Sequence, residues 1–214
     1  MGKIKRGILG GFQGKVGTVV GTRWRGISVM RAMPEQVRNP NTMKQRSQRE
    51  KFRLVSGFMK KFRPVIEQGF ELNGVVNKTA SNLGMSWNLK HGTTGVYPDI
   101  VLDFTELRLA MGSLEGALNP QVSADTSGEV SFSWSDNSGK ANAAADDEVL
   151  LMIYNEDTSE ALYELQAANR EAGTAILALP AGFAGDTLHA WIAFHKESEA
   201  ISSVSQYLGT VTPS

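Results

Sequence analysis

Val130-Ser131-Phe132-Ser133-Trp134 alternates large apolar side chains with serines. Successive side chains of a strand point to opposite faces, so this stretch reads as a half-buried strand with Val130, Phe132 and Trp134 on the covered side. Further β-rich runs follow: Val149 to Tyr154, Ala161 to Leu165, Thr174 to Leu179, Leu188 to Phe194 and Val204 to Val211. Turn-forming residues separate them, among them Asp125-Thr126-Ser127-Gly128, Asp136-Asn137-Ser138-Gly139 and Gly182 to Asp186. In the fifth run Leu188, Ala190, Ile192 and Phe194 share one face. The spacing predicts an all-β Ig-like sandwich over residues 119–214.

Upstream the pattern changes. Pro34 and Asn39-Pro40 mark an extended connector, because a residue before proline avoids the α region. Asn41 or Thr42 then suits a helix cap. A helix is predicted from Met43 to Phe62, with Phe52, Val55, Phe58, Met59 and Phe62 on one face and basic residues over much of the remainder. Further helices are predicted at Val65–Leu72 and Val76–Lys90, then strands within 97–111. This makes 35–118 a helical region with short strands. Residues 1–34 form a glycine-rich basic segment of two or three short strands, punctuated from Gly7 to Gly26. The fold class is therefore an α+β N-terminal region followed by an all-β Ig-like sandwich.

The 214 residues carry 22 basic and 22 acidic side chains and no cysteine. The zero net charge conceals opposite halves. Residues 1–63 hold 16 basic residues against Glu35 and Glu50, a net of +14, and residues 64–214 carry −14. Such asymmetry points to an anionic partner or to an oriented contact between molecules. Twelve residues are the candidates for partner or phosphate binding: Lys3, Lys5, Arg6, Lys15, Arg23, Trp24, Arg25, Lys44, Arg46, Arg49, Lys51 and Arg53.

The sandwich resembles fibronectin type III in the tryptophan that closes its second strand and in Leu179-Pro180 ahead of a long strand. The tyrosine expected near the start of the sixth strand is absent, with Leu188 near that place, so Ig-like is the name that fits. Gly14-Lys15-Val16-Gly17, Asn39-Pro40-Asn41-Thr42, Gln45 to Phe52, Met85 to Lys90 and Gly116-Ala117-Leu118-Asn119-Pro120 resemble a Bacteroidota family recorded as a domain of unknown function. That resemblance covers most of the chain and implies no site residues.

Motifs for chemistry are sparse. A phosphate loop fails, because Leu9 stands where its first glycine belongs and Val16 follows Lys15 in place of Ser or Thr. His189 and His195 flank Trp191 and lie roughly 20 Å apart along a strand, too far to share a metal. They read as surface residues beside an exposed or edge tryptophan. Asp146-Asp147-Glu148 reads as a solvated turn, with calcium the lesser alternative. No cofactor or metal is expected, and the chain reads as a non-enzyme. Residues 1–12 lack a signal-peptide apolar run, and Arg6 stands where a myristoylation motif has Ser or Thr. The expected location is the cytoplasm or a particle assembled there.

Two functional readings follow. The first is a structural subunit that self-assembles head to tail through its basic end and its acidic sandwich, as a filament or a phage- or virion-type component. The alternative is a nucleic-acid-binding protein that uses the basic half, with Arg23-Trp24-Arg25 interleaving charge and aromatic surface.

Overall fold

Glycine at the turns makes the N-terminal segment a meander. Gly17 and Gly26 have φ of 58° and 87°, a region that side chains avoid. They reverse the chain between β2 (Phe12–Val16), β3 (Val19–Trp24) and β4 (Ile27–Ala32). With β1 (Lys3–Ile4) these strands form a four-stranded antiparallel sheet in chain order. A Cβ at Gly21 would collide with the ring and carbonyl of Phe12, so glycine there lets Phe12 lie across the sheet.

The computed structural model describes residues 3–4, 11–24, 26–33, 39–71 and 78–213, and it divides into two units, 1–42 and 43–214. In the larger unit α1 (Met43–Lys61) forms where the apolar stripe predicts it. Val55, Phe58, Met59 and Phe62 are buried. Pro64 opens α2 (Arg63–Gly69), where its missing N–H costs nothing. The helix predicted from Val76 instead begins at Ala80, as α3 (Ala80–His91), because the Thr79 hydroxyl caps it by accepting from the Asn82 amide at 3.1 Å. Residues 72–77 lie outside the described residues. Of the strands predicted in 97–111, only Val101–Leu102 forms. It is β6, paired with β5 (Thr93–Thr94). Leu107 and Leu109 are buried in irregular chain.

Two sheets then face each other. One has β7 (Leu118–Ser123), β8 (Glu129–Ser135) and β11 (Thr174–Ala178), in the order β11-β8-β7. The other has β9 (Glu148–Asn155), β10 (Glu160–Glu164), β12 (Leu188–Lys196), β13 (Ile201–Ser202) and β14 (Gln206–Val211). Its path is β10-β9-β12, with β13 and β14 both on β12. Every pair in both sheets is antiparallel. This is the strand order of an Ig-like sandwich, following an α+β region as the sequence predicts. Val130, Phe132, Trp134, Leu188, Ala190, Ile192 and Phe194 fill the space between the sheets.

The outer face of the five-stranded sheet is not exposed. Helices α1 to α3 cover it, and Phe58, Phe62 and Phe104 close on Tyr154 and Trp191. Trp191 is 0% exposed, and His189 and His195 are each 6% exposed. This corrects the reading of an edge tryptophan flanked by surface histidines. The helices also cross the boundary expected at 118/119: helix layer, five-stranded sheet and three-stranded sheet belong to one unit, and the break falls at 42/43.

A second correction concerns Asp146-Asp147-Glu148. Asp147 is buried, and its Oδ2 accepts from Arg170 Nε at 2.9 Å and from the Ala144 amide at 2.8 Å. Arg170 is itself 0% exposed and spends its remaining donors on Asn137 Oδ1 and the carbonyls of Glu115 and Gly116. Removing one partner of such a pair leaves the other charge buried alone, at about 3–5 kcal/mol. Arg170→Met is therefore expected to cost that much in urea unfolding, and Arg170→Met with Asp147→Leu less. A double variant as unstable as the single one would refute this account.

His195 offers a test by pH. Its Nδ1 lies 2.9 Å from Ser202 Oγ, which donates to the Gln68 carbonyl. Burial holds the imidazole below its ordinary pKa, with the carboxylates of Glu148, Glu197 and Asp147 opposing in part. The unfolded chain then takes up the proton first as pH falls. The stability this neutral ring contributes is fully present above the unfolded value of about 6.5 and is lost as pH falls through the folded one. His195→Gln is expected to flatten the pH dependence of thermal unfolding below about pH 6.5, and a slope equal to that of the wild type would exclude it.

Candidate functional site

The alternation of strands sorts the basic residues of the N-terminal sheet. Lys15 pairs with Val20, and Val20 with Arg31, so these three share one face. Thr22, Val29, Trp24 and Ile27 lie on that face too. The opposite face carries Phe12, Val16, Val19, Met30 and Ala32 around Gly14 and Gly21. Arg23 falls on this second face, away from Trp24, and its Nε donates to the Gly26 carbonyl at 3.3 Å. Arg23 and Trp24 therefore do not form one interleaved patch. Lys3 pairs through its backbone with Gln13, and Lys5, Arg6 and Arg25 lie outside the described residues.

Large apolar residues are exposed on both faces among the described residues. Met30 is 68% exposed, and Trp24, Ile27, Val29 and Val16 are about half exposed. Every residue of β4 is exposed. A sheet of this kind, ending in a six-residue exposed strand, is a template for pairing with another chain. Arg31 joins Lys15 only through the strand register, which is why the sequence reading omitted it.

Helix α1 divides its own charges. At 100° per residue Arg46, Arg49, Arg53 and Lys60 fall in one stripe opposite the buried Val55, Phe58 and Phe62. Lys44 and Lys51, seven residues apart, lie on the other side. Arg53 holds Glu50 in a two-pronged contact of 2.5 and 3.1 Å, which lowers the Glu50 pKa and raises that of Arg53. Phe52, placed by periodicity among the core residues, is 52% exposed. It sits with Gln48, Arg49, Arg53 and Ser56 at a shallow depression of about 590 Å³. The apolar face narrows in the first turns of α1, where Met43 and Phe52 are exposed.

Two polar groupings arise only from the fold. His189 Nδ1 lies 2.8 Å from the Tyr207 hydroxyl and its Nε2 lies 3.1 Å from Glu156 Oε2, while the ring stacks on Phe104 at 3.8 Å. Burial, then the charges of Glu156 and Asp103, raise the pKa of Tyr207. These contacts tie β12 to β14 and to the turn after β9. Beside α3 a cleft of about 490 Å³ is lined by Glu71, Trp87, Lys90, His91, Met111 and Ser113. The Arg108 guanidinium lies 5.0 Å over the Trp87 ring. Among the described residues no group of three or more carboxylates and histidines is placed to hold a metal ion, and no helix is long and apolar enough to cross a membrane.

Fold and site together define an Ig-like sandwich backed by helices, preceded by a basic sheet with open faces. Residues 11–209 match the model of a family of unknown function, DUF6266, and the chain belongs to that family. No curated protein matches the sequence. Among solved structures the fn3 domain of human contactin 1 is similar at 11% identity, over 57% of this chain and 95% of that one, with a TM-score of 0.31. A score that low carries no argument, and the sandwich is assigned from its own strand order.

Trp24 and Met30 are 49% and 68% exposed, and Trp24→Ser with Met30→Ser is expected to leave the unfolding free energy of residues 43–214 within about 0.5 kcal/mol of wild type. Chemical denaturation followed by circular dichroism measures this. A larger loss would mean that the open sheet faces support the sandwich core.

Proposed function

We propose that the protein is a structural subunit that assembles with copies of itself, using the basic N-terminal sheet to dock on the acidic unit of a neighbour. The observation that carries this reading is the sheet itself: four strands with large apolar residues exposed on both faces and β4, exposed at every residue, at its edge. Large apolar residues exposed together on a sheet mark a surface that another chain can cover. Charge supports the direction of contact. The basic end and the acidic remainder attract between molecules, which speeds encounter and fixes orientation, and such head-to-tail contacts build rings or filaments.

A second reading, nucleic-acid binding, rests on the α1 stripe. Arg46, Arg49, Arg53 and Lys60 present a row of cations suited to tracking a phosphate backbone. Replacing these four with glutamine would then reduce binding to DNA or RNA and flatten its salt dependence.

Sedimentation of nuclease-treated protein across a salt series, with electron microscopy of the fractions, separates the two. Ordered assemblies free of nucleic acid that dissociate as salt rises are expected. A monomer at every salt concentration, shifted only when DNA or RNA is added back, would overturn the subunit reading in favour of the second.

A further inference from the structure

We propose that strand β4 of one copy adds to the outer edge of β10 in another copy, as a sixth strand of its five-stranded sheet. This rests on the subunit reading and names the two edges that meet.

Strand β10 ends its sheet, with β9 on one side and, among the described residues, no strand on the other. The edge is flanked by two depressions. One, of about 370 Å³, is lined by Lys61, Ser159, Glu160, Leu162, Pro180 and Phe183. The other, of about 620 Å³, is lined by Gln68, Tyr163, Glu164, Leu165 and Gln166. An added strand would have a shoulder at each end. Lys61 is already engaged, donating to the Ser159 carbonyl with its ammonium 5.1 Å over the Tyr154 ring. Strand β4 supplies the matching element: six exposed residues, Ile27-Ser28-Val29-Met30-Arg31-Ala32, with no proline and one charge.

The charges are complementary. Glu160 and Glu164 bracket β10, and neither takes part in an ion pair among the described residues; nor does Arg31. The faces agree as well. Leu162 packs toward the core between the sheets, so Glu160 and Glu164 share its side, whereas Ala161 and Tyr163 pack toward the helices. Ile27, Val29 and Arg31 share one face of β4. With Val29 opposite Leu162 in an antiparallel pair, Arg31 falls opposite Glu160 and Met30 opposite Ala161. Opposite charges directly across a strand pair stabilise it and like charges destabilise it. Pairing of β4 with a second β4 would instead join two segments of like sign, since residues 1–42 hold eight basic residues and one acid. One donor edge and one acceptor edge per chain make the contact heterologous, so it propagates.

The absence of cysteine makes the test direct. The full chain carrying Val29→Cys and Leu162→Cys is oxidised at low salt and run on a non-reducing gel. The expected result is a ladder of disulfide-linked oligomers, reduced about tenfold in Ser28→Cys with Leu162→Cys, whose side chains leave opposite faces. A second pair does not touch the packing of Leu162. Arg31→Glu alone and Glu160→Lys alone should each weaken assembly in sedimentation, and the two together should restore it. Three outcomes overturn the proposal and leave the subunit reading intact: sedimenting assemblies without the cross-link, a disulfide closed within one chain, or dimers from Val29→Cys alone. Absence of assembly at every salt concentration overturns both.

Discussion

A buried guanidinium sets the terms for one pole of the sandwich. Arg170 reaches Asp147 at 2.9 Å, Asn137 at 2.7 Å and the carbonyls of Glu115 and Gly116 at 2.8 and 3.2 Å, with Phe194 3.7 Å beneath its plane. Its own carbonyl accepts from the Trp134 indole at 2.7 Å. A charge withdrawn from water must find these partners or the fold loses several kcal/mol. The β8–β9 loop, the turn before β11 and the segment leaving the helices must therefore arrive together. Gly173, with φ of 68°, closes that turn in a conformation a larger residue would resist. The segment at Glu115–Ala117 is thereby fastened to the sandwich at the point where the sequence suggests a break between domains.

The same fastening explains how much of the fold is legible in the residues. Alternation at Val130, Phe132 and Trp134 and the stripe of α1 are local patterns, and both form as they read except at Phe52, which is exposed. Leu188–Lys196 misleads because alternation identifies a strand's faces without saying what covers them. His189, Trp191 and His195 look like an outward face, yet helices seal it. A signal was present. Val149 to Tyr154 is apolar at every position, as strands buried on both sides are. Asp147 misleads for a related reason, since its partner lies 23 residues further on.

The candidate interface is legible in sign and illegible in arrangement. Counting charges locates the basic end, and glycine spacing locates its strands. Register decides which charges meet, and it separates Arg23 from Trp24 while uniting Lys15 with Arg31. On α1 a turn of 100° per residue sets Lys44 and Lys51 apart from the Arg46 stripe. Leu162 and Glu164 belong to an edge only because β10 pairs on one side, a fact of tertiary structure.

The bare N-terminal sheet has a consequence for how the protein exists in solution. A fold completed by association has a stability that depends on concentration. Residues 43–214 carry their own two-sided core, whereas the sheet leaves Trp24, Ile27, Val29 and Met30 exposed, and under the proposed docking a neighbour would cover them. Dilute chains would then remain dispersed, folded in one part and incompletely buried in the other. Once copies are dense enough, each docking event would order the element that makes the next one, and the onset of assembly would be abrupt.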